Sequence, residues 1–368
     1  MEDSPVRFGV VGLGYISQVA FWPALKSSKK GELAARFSSD SVKLKKLGRK
    51  YRCKAQFSYA DFAHGLQESG TEAVYIATPN TEHSEFAVRA AEQGVHVLCE
   101  KPLAATTADA LRIVDACSSN GVKLMVAYRL HFEPATLQAL EMIRKGKIGD
   151  PRTYFSSFSM QLSRGNYRGE ADLGGGPLLD LGIYCINGVR NLFFENPSEV
   201  CAFDTRFEGS DRFKDVETNV VACLKFPSGR LATLCCSFET AGSSHLHIVG
   251  TRGEIWLDPA FDFSEALALF HRKGMRTKRS VFKKRDQFIP LLEYFGECVR
   301  TGADPEPSGT EGVIDVRIIE AIRLSASTGE TVELNLASEL WPTPEQKGAF
   351  HPPKPRVRLV HARATSIQ

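Results

Sequence analysis

FGVVGLGYISQVA, residues Phe8 to Ala20, carries a β-branched run into a glycine-rich turn and out again into a helical pattern. The spacing is nearly G-x-G-x-x-G, with Gly12 and Gly14 in place and Ser17 where a third glycine would stand. In a strand–turn–helix unit the first glycine makes the tight turn and the second lets the backbone approach a pyrophosphate. The third eases the packing of helix on strand, and serine is small enough to stand in for it. A helix opening at Ile16, just after Tyr15, offers N–H groups and the positive end of its dipole to a phosphate. Alone, G-x-G is a weak signal; the strand before it and the helix after it strengthen the reading.

Outward from this turn, Arg7 to about Val126 alternates short β-rich runs with helical stretches: RFGVVGLG, ELAARFS, AVYIATP, VHVLCEKP and KLMVAY, with helices between them. Strand alternating with helix means βαβ units, and right-handed crossovers then give a doubly wound, open parallel sheet of the Rossmann type over residues 1–126. From Ala127 the texture changes. A helix over Pro134 to Lys145 leads into TYFSSFSMQL, a Gly-Gly-Gly stop precedes DLGIYCINGVRNLF, and consecutive strand-like runs follow with PSG and TRG as hairpin punctuation. Residues 127–340 therefore read as an α+β domain with a large, mostly antiparallel open sheet. Residues 341–368, with Pro342, Pro344, Pro352, Pro353 and Pro355, read as a proline-rich extended arm: a floppy terminus is the commoner outcome, and an arm laid across a neighbouring subunit is the alternative.

A length of 368 residues suits two domains. A net charge of +3 gives no global pull toward nucleic acid or an anionic membrane. No apolar run approaches the ~20 residues of a membrane span, and MEDSPVRFGVV has no cationic region ahead of its apolar stretch. The nine cysteines include no C-x-x-C pair and read as reduced thiols of a cytoplasmic protein, with no structural zinc.

The choice of nucleotide is made where the second strand ends, here RFSSDSVKLKK. An acid at that point bonds the ribose 2′-hydroxyl, whereas a 2′-phosphate needs hydroxyl donors and a cation. Ser39 stands where the acid would be, with Ser38 before it and Lys43 a helical turn onward, so NADP is favoured over NAD. Asp40, one residue further, is the alternative ribose acid, and SSDS can also cap the next helix.

TPNTEH, with Thr78, Asn80 and His83, and CEKPL, with Glu100 and Lys101, each follow a strand and so lie at the carboxyl edge of the parallel sheet. Further on, Asp180 and Tyr184 are four apart and share a helix face. A carboxylate, a phenol and a lysine ammonium form a proton-handling group: a cation favours a phenolate, and the acid orients substrate hydroxyls. EKP together with GGG-x-x-x-D-x-G-x-Y (Gly174 to Tyr184) resembles the glucose-fructose oxidoreductase and inositol dehydrogenase family, from Arg7 to about Leu334. YRLHFEP (Tyr128 to Pro134), the IYCINGVRNLF helix and SS-x-x-x-K resemble its aldose oxidoreductase branch in particular.

The resemblance implies an NADP-linked oxidoreductase of cyclic aldoses or related sugars, possible coupling to reduction of a second sugar, and pairing of subunits through the second domain's sheet. It implies Tyr184 as the base for a sugar hydroxyl, Lys101 as the group that holds the substrate oxygen, and Asp180 as the residue that fixes substrate and tyrosine. Arg168 in NYRGE resembles the family's arginine near the substrate. The candidate cofactor residues are Gly12, Gly14, Tyr15, Ile16, Ser38, Ser39, Lys43, Tyr59, Thr78, Asn80, His83, Glu100, Lys101 and Arg129.

Competing signals are weaker. His245 and His247 alternate on a strand without a third ligand nearby, and HRKGMRTKRSVFKKR (His271 to Arg285) reads as a solvated edge rather than a nucleic-acid surface. A non-catalytic dinucleotide sensor would be favoured by loss of Lys101 or Tyr184, and both are present. The remaining alternative is a dehydrogenase of inositol, an amino sugar or a trans-diol. Apolar residues on both faces of NVVACLKF and LATLCCSF point to a homodimer or homotetramer built on the sheet.

Overall fold

The computed structural model describes residues 4–206, 209, 211–336 and 357–366. They fall into two units: residues up to Arg129 with Asp286–Val313 and 357–364, and Leu130–Arg285 with 314–336 and 365–366. The first unit is thus discontinuous, where the sequence reading drew contiguous blocks.

In the first unit, β1 (Val6–Val11), β2 (Gly31–Phe37), β3 (Gln56–Phe57), β4 (Ala73–Ile76), β5 (His96–Cys99) and β6 (Leu124–Val126) form one sheet in the order β3-β2-β1-β4-β5-β6. All of its pairs are parallel. The order reverses beside β1, and that switch point is where this architecture opens a crevice for ligands at the strand ends. A π-helical turn, Ser17–Phe21, runs into α1 (Trp22–Ser27). Then come α2 (Ser41–Tyr51), α3 (Phe62–Glu68), α4 (His83–Ala91) and α5 (Thr107–Ser119). The strands are buried on both faces, as a sheet with helices above and below requires: Phe8, Val10, Ala35, Phe37, Val74 and Tyr75 are fully covered. Phe21 stacks on Tyr75 with 3.7 Å between ring centroids. Part of the cover comes from late in the chain: Phe295 of α8 (Phe288–Thr301) lies 6.3 Å from Phe8, and Arg300 pairs with Glu72.

The second unit has α6 (Pro134–Arg144), β7 (Pro151–Ser159), α7 (Ile183–Phe193), β8 (Glu199–Thr205), β9 (Asn219–Lys225), β10 (Leu231–Ser237), β11 (Ser243–Gly250), β12 (Gly253–Leu257), β13 (Leu267–Lys273), β14 (Arg276–Phe282) and β15 (Val332–Glu333). The nine strands form one sheet, β14-β13-β12-β11-β7-β10-β9-β8-β15, antiparallel except for β7 with β10. The basic stretch from His271 is the β13–β14 hairpin at the sheet edge, where charge discourages edge-to-edge pairing. Most of α9 (Gly309–Thr328) also belongs to this unit. A buried polar network joins Asn187, Asp315, Arg190 and Asn196: the Asn187 amide donates to Asp315 at 2.9 Å, Arg190 pairs with Asp315, and Arg190 Nε donates to Asn196 at 2.8 Å.

Alternation along β9 and β10 buries Val220, Ala222, Leu224, Ala232, Leu234 and Cys236 on one face. The other face carries Phe203 (71% exposed), Val221, Leu231 and Phe155. Cross-strand register places Phe203 beside Val221, and Val221 beside Cys235. Pro342, Pro344, Pro352, Pro353 and Pro355 of the expected arm lie outside the described residues. Residues 357–364 belong to the first unit, against which their start is laid.

Candidate active site

In the first unit the β1 turn explains both its glycines and its serine. Gly12 has φ +84, and a Cβ there would stand 2.4 Å from the Ala77 carbonyl oxygen and 2.7 Å from the Thr78 nitrogen. Only glycine allows the end of β1 to lie so close on the end of β4. At Gly14 a Cβ would meet nothing within 4 Å, which leaves the open side of the turn bare. Ser17 is fully buried, and its hydroxyl donates to the Gly12 carbonyl at 2.6 Å, so the third position of the motif is used as an internal tie. Tyr15 and Ile16 are half-buried beside it.

At the end of β2, Ser38 is buried and Ser39 exposed. The Ser38 hydroxyl accepts from the Asp40 N–H at 3.1 Å and is hydrogen-bonded with Tyr59, which also bonds the Gly12 backbone. Burial, with the Glu82 charge, pushes the Tyr59 phenol well up. Asp40 is the N-cap of α2: Oδ1 accepts from the Val42 and Lys43 N–H groups at 2.9 and 3.0 Å. Its Oδ2 faces Lys43 Nζ at 3.9 Å and His361 Nδ1 at 3.2 Å. Burial opposes ionisation of Asp40, but the Lys43 N–H, His361 and the two neighbouring charges together hold its carboxyl below the usual range. Both oxygens are therefore engaged within the protein, which weakens the case for Asp40 as a ribose acid.

At the ends of β4 and β5, His83 departs from its expected role as a cofactor ligand. It is fully buried, with Nδ1 3.0 Å from the Pro102 carbonyl and Nε2 3.2 Å from the Thr78 carbonyl. Burial lowers its pKa to about 4, so the ring is neutral, packs between the TPN loop and the segment after Lys101, and donates its single N–H to one of these two carbonyls. The Thr78 hydroxyl is buried and has no hydrogen-bond partner among the described residues. Asn80 is nearly buried next to it. Glu100 accepts from the Tyr75 hydroxyl at 2.5 Å, and burial pushes its carboxyl up against the opposing pull of Tyr75, Lys101 and Arg129. Lys101 is half-buried and precedes Pro102 across a cis bond. Arg129, 4% exposed, donates to Gln287 at 2.6 Å. A bare turn at Gly14 and an unpartnered threonine hydroxyl at the strand ends are what a dinucleotide phosphate requires, so these residues fit such a group.

In the second unit the three glycines let one loop lie on another. A Cβ at Gly175 would be 2.4 Å from the Arg168 carbonyl oxygen, and the Gly176 N–H donates to that same oxygen at 2.9 Å. This contact carries Arg168 to Asp180: Nε lies 3.0 Å from Oδ2, with the side chains 20% and 13% exposed. Asp180 sits in a π-helical turn, Leu178–Gly182, that runs directly into α7 and Tyr184. Such turns recur where a helix must present side chains at an unusual angle. The Tyr184 ring packs edge-on to Phe158 at 5.5 Å and near Phe261 at 6.2 Å, an aromatic seat that fixes where the hydroxyl points. His247 pairs with Glu254 at 2.6 Å, and no metal-binding group of histidine, cysteine and acids occurs among the described residues. Nor is any described helix long and apolar enough to cross a membrane.

Sequence reasoning missed Gln18, buried behind the turn, and Gln287 and His361, whose partners lie far away in the chain.

Residues 6–128 match the oxidoreductase family with the NAD-binding Rossmann fold, and residues 136–256 match the GFO/IDH/MocA C-terminal domain. The chain belongs to the glucose-fructose oxidoreductase and inositol dehydrogenase family. It is 31% identical to an NADP(+) D-xylose 1-dehydrogenase of Haloarcula marismortui over 90% of this chain and 94% of that one. The aldose-aldose oxidoreductase of Caulobacter crescentus, solved with glycerol, superposes with a TM-score of 0.86 at 32% identity, over 90% of this chain and 100% of that one. A 3-ketoreductase of Actinomadura kijaniata, solved with NADP and TDP-benzene, gives 0.79 at 26% identity, over 87% and 98%. The family's members named here are sugar oxidoreductases, and this chain is an oxidoreductase of that family.

Proposed function

We propose that this protein is an NADP-dependent oxidoreductase that converts a cyclic aldose to its aldonolactone. The observation that carries the reading is the Arg168–Asp180 pair, set on the π-turn that leads into Tyr184. It fixes a carboxylate of low exposure where it can accept hydrogen bonds from sugar hydroxyls, one turn before a phenol held by two aromatic rings. Tyr184 takes the proton of the C1 hydroxyl as C1 gives up its hydride, and the C1–O bond becomes the lactone carbonyl. NADP, when bound, supplies the ring that accepts the hydride. The family resemblance, rather than any distance, implies that Lys101 holds the reacting oxygen. Ser38, Ser39 and Lys43 would hold the 2′-phosphate, and Gly12, Gly14 and Thr78 the phosphates between the nucleotides.

The names of the relatives support both the sugar and NADP. The bare apolar face with Phe203, Val221 and Leu231 supports a homodimer formed sheet to sheet. Nine free cysteines suit the reducing cytoplasm.

The test is to denature the purified protein, look for released NADP(H) by absorbance, and then supply aldoses with NADP. Release of NADP(H), or aldose-dependent NADPH formation, supports the reading. A protein that binds NAD better than NADP and oxidises no aldose overturns it. Light scattering that returns a monomer removes the dimer alone.

A further inference from the structure

Residues 357–366 read VRLVHARATS, with two arginines, a histidine and no acid. Three contacts lay the start of this segment along the nucleotide side of the first unit. The Gln18 amide and the Val360 backbone bond each other twice: the Val360 N–H donates to Gln18 Oε1 and Gln18 Nε2 donates to the Val360 carbonyl, both at 2.8 Å. Gln18 is fully buried, and the same Nε2 also donates to the Leu13 carbonyl inside the glycine turn, at 3.0 Å. One side chain therefore joins the proposed phosphate turn to the far end of the polypeptide. His361, at φ 45, faces Asp40 Oδ2 at 3.2 Å. Lys50, in the last turn of α2, donates to the Arg358 carbonyl at 3.1 Å.

Resting on the NADP reading above, we propose that residues 357–363 are a cofactor-binding element, which walls the adenosine 2′-phosphate side of the site of its own chain. His361 is its specificity residue. Asp40 stands one residue beyond the serines that would hold the 2′-phosphate, and a carboxylate there repels a dianion. Lys43 Nζ at 3.9 Å from Oδ2 offsets that charge, and the His361 ring, with Nδ1 at 3.2 Å, occupies the same oxygen through a hydrogen bond. Arg358, His361 and Arg363 are all exposed; the two arginines add positive field and the histidine a ring nitrogen to a wall without acids, which suits a 2′-phosphate better than a bare ribose. An internal role alone, such as covering Gln18, would need the Val360 backbone but neither the histidine nor the absence of acids.

The test titrates NADP, NAD, adenosine 2′,5′-bisphosphate and 5′-AMP into four full preparations: the parent chain, His361→Ala, Val360→Pro, and a chain truncated before residue 357. In His361→Ala, NADP and the bisphosphate should bind about tenfold more weakly, the scale of one charge-assisted hydrogen bond, while NAD and AMP are unchanged. Val360→Pro removes the N–H that Gln18 accepts, and should speed release of NADPH, followed by its fluorescence in a chase with excess NADP. The truncated chain should show both effects, and the two substitutions still answer the question if truncation prevents folding. His361→Ala binding all four ligands like the parent overturns the proposal. So does equal weakening for AMP and the bisphosphate, which would make the segment a structural cover. A parent that prefers NAD overturns the cofactor reading and this proposal with it; a parent that prefers NADP, with variants that match it, overturns this proposal alone.

Discussion

Alanine at Gly12 and alanine at Gly14 should do opposite things. At Gly12 the backbone is left-handed at φ +84, which costs an L-residue about 1–2 kcal/mol. The new methyl carbon would also stand 2.4 and 2.5 Å from the carbonyl oxygen and carbon of Ala77, and 2.7 Å from the Thr78 nitrogen. These are main-chain atoms at the end of a central strand, so no flexible side chain can yield, and relief by backbone shift adds roughly 1–3 kcal/mol. Gly12→Ala should therefore lose about 2–5 kcal/mol of stability. At Gly14 the methyl would meet nothing within 4 Å and φ is not positive. Gly14→Ala should change stability by less than about 1 kcal/mol, if anything upward through the unfolded chain. The methyl stands where a pyrophosphate must approach the backbone, so NADP affinity should fall roughly tenfold or more. Urea unfolding and calorimetric titration of both variants check the pair. A Gly14→Ala protein that binds NADP like the parent would refute the turn as a phosphate cradle. A Gly12→Ala protein as stable as the parent would refute the close contact of β1 and β4.

Tyr184→Phe should lower turnover roughly 10²-fold or more while leaving NADP affinity nearly unchanged, as steady-state kinetics and titration would show. Lys43→Ala should weaken NADP selectively over NAD; equal loss for both would remove Lys43 from the 2′-phosphate site. Asp315→Ala should destabilise the protein by about 3–5 kcal/mol in denaturant, because it strands the Arg190 guanidinium in the interior. His83 is held neutral with its pKa near 4, below the ordinary 6.5. The unfolded chain thus binds a proton that the folded chain refuses, so stability is full above about pH 6.5 and falls toward pH 4, by roughly 3 kcal/mol in all. Melting curves across that window should lose much of this slope in His83→Asn.

The first sheet could be read in the sequence because its cues are local. Each buried strand is a short β-rich run, and each helix begins beside it, as Ser41 does after Asp40. The GGG run and Asp180 were legible as a motif, but not the reason for the glycines, since a Cβ clash with the Arg168 carbonyl depends on where a separate loop lies. β3 has only two residues and shows no period at all. His83 looked like a ligand because it follows a strand end. Its burial depends on the Pro102 carbonyl, and burial is a property of the fold rather than of the motif. The proline-rich tail gave no hint that Val360 would meet Gln18, because an extended backbone with few apolar residues carries no sign of its partner.

The discontinuity of the first unit bears on how the protein is made. The six-stranded sheet is complete in sequence by Val126, but the ribosome must deliver eight strands of the second sheet, β7 to β14, before Leu292 and Phe295 arrive to cover Phe8 and Gly31. Pro307, whose carbonyl accepts from the Val126 N–H, comes later still. During synthesis the nascent first sheet therefore waits with apolar surface uncovered, and a fragment cut at Arg129 keeps that surface permanently. Expression of the isolated N-terminal segment would be governed by chaperone capture and aggregation rather than by its own stability. A usable minimal dinucleotide domain must be built by joining residues 4–129 to 286–313 and 357–364, not by stopping where the first sheet ends.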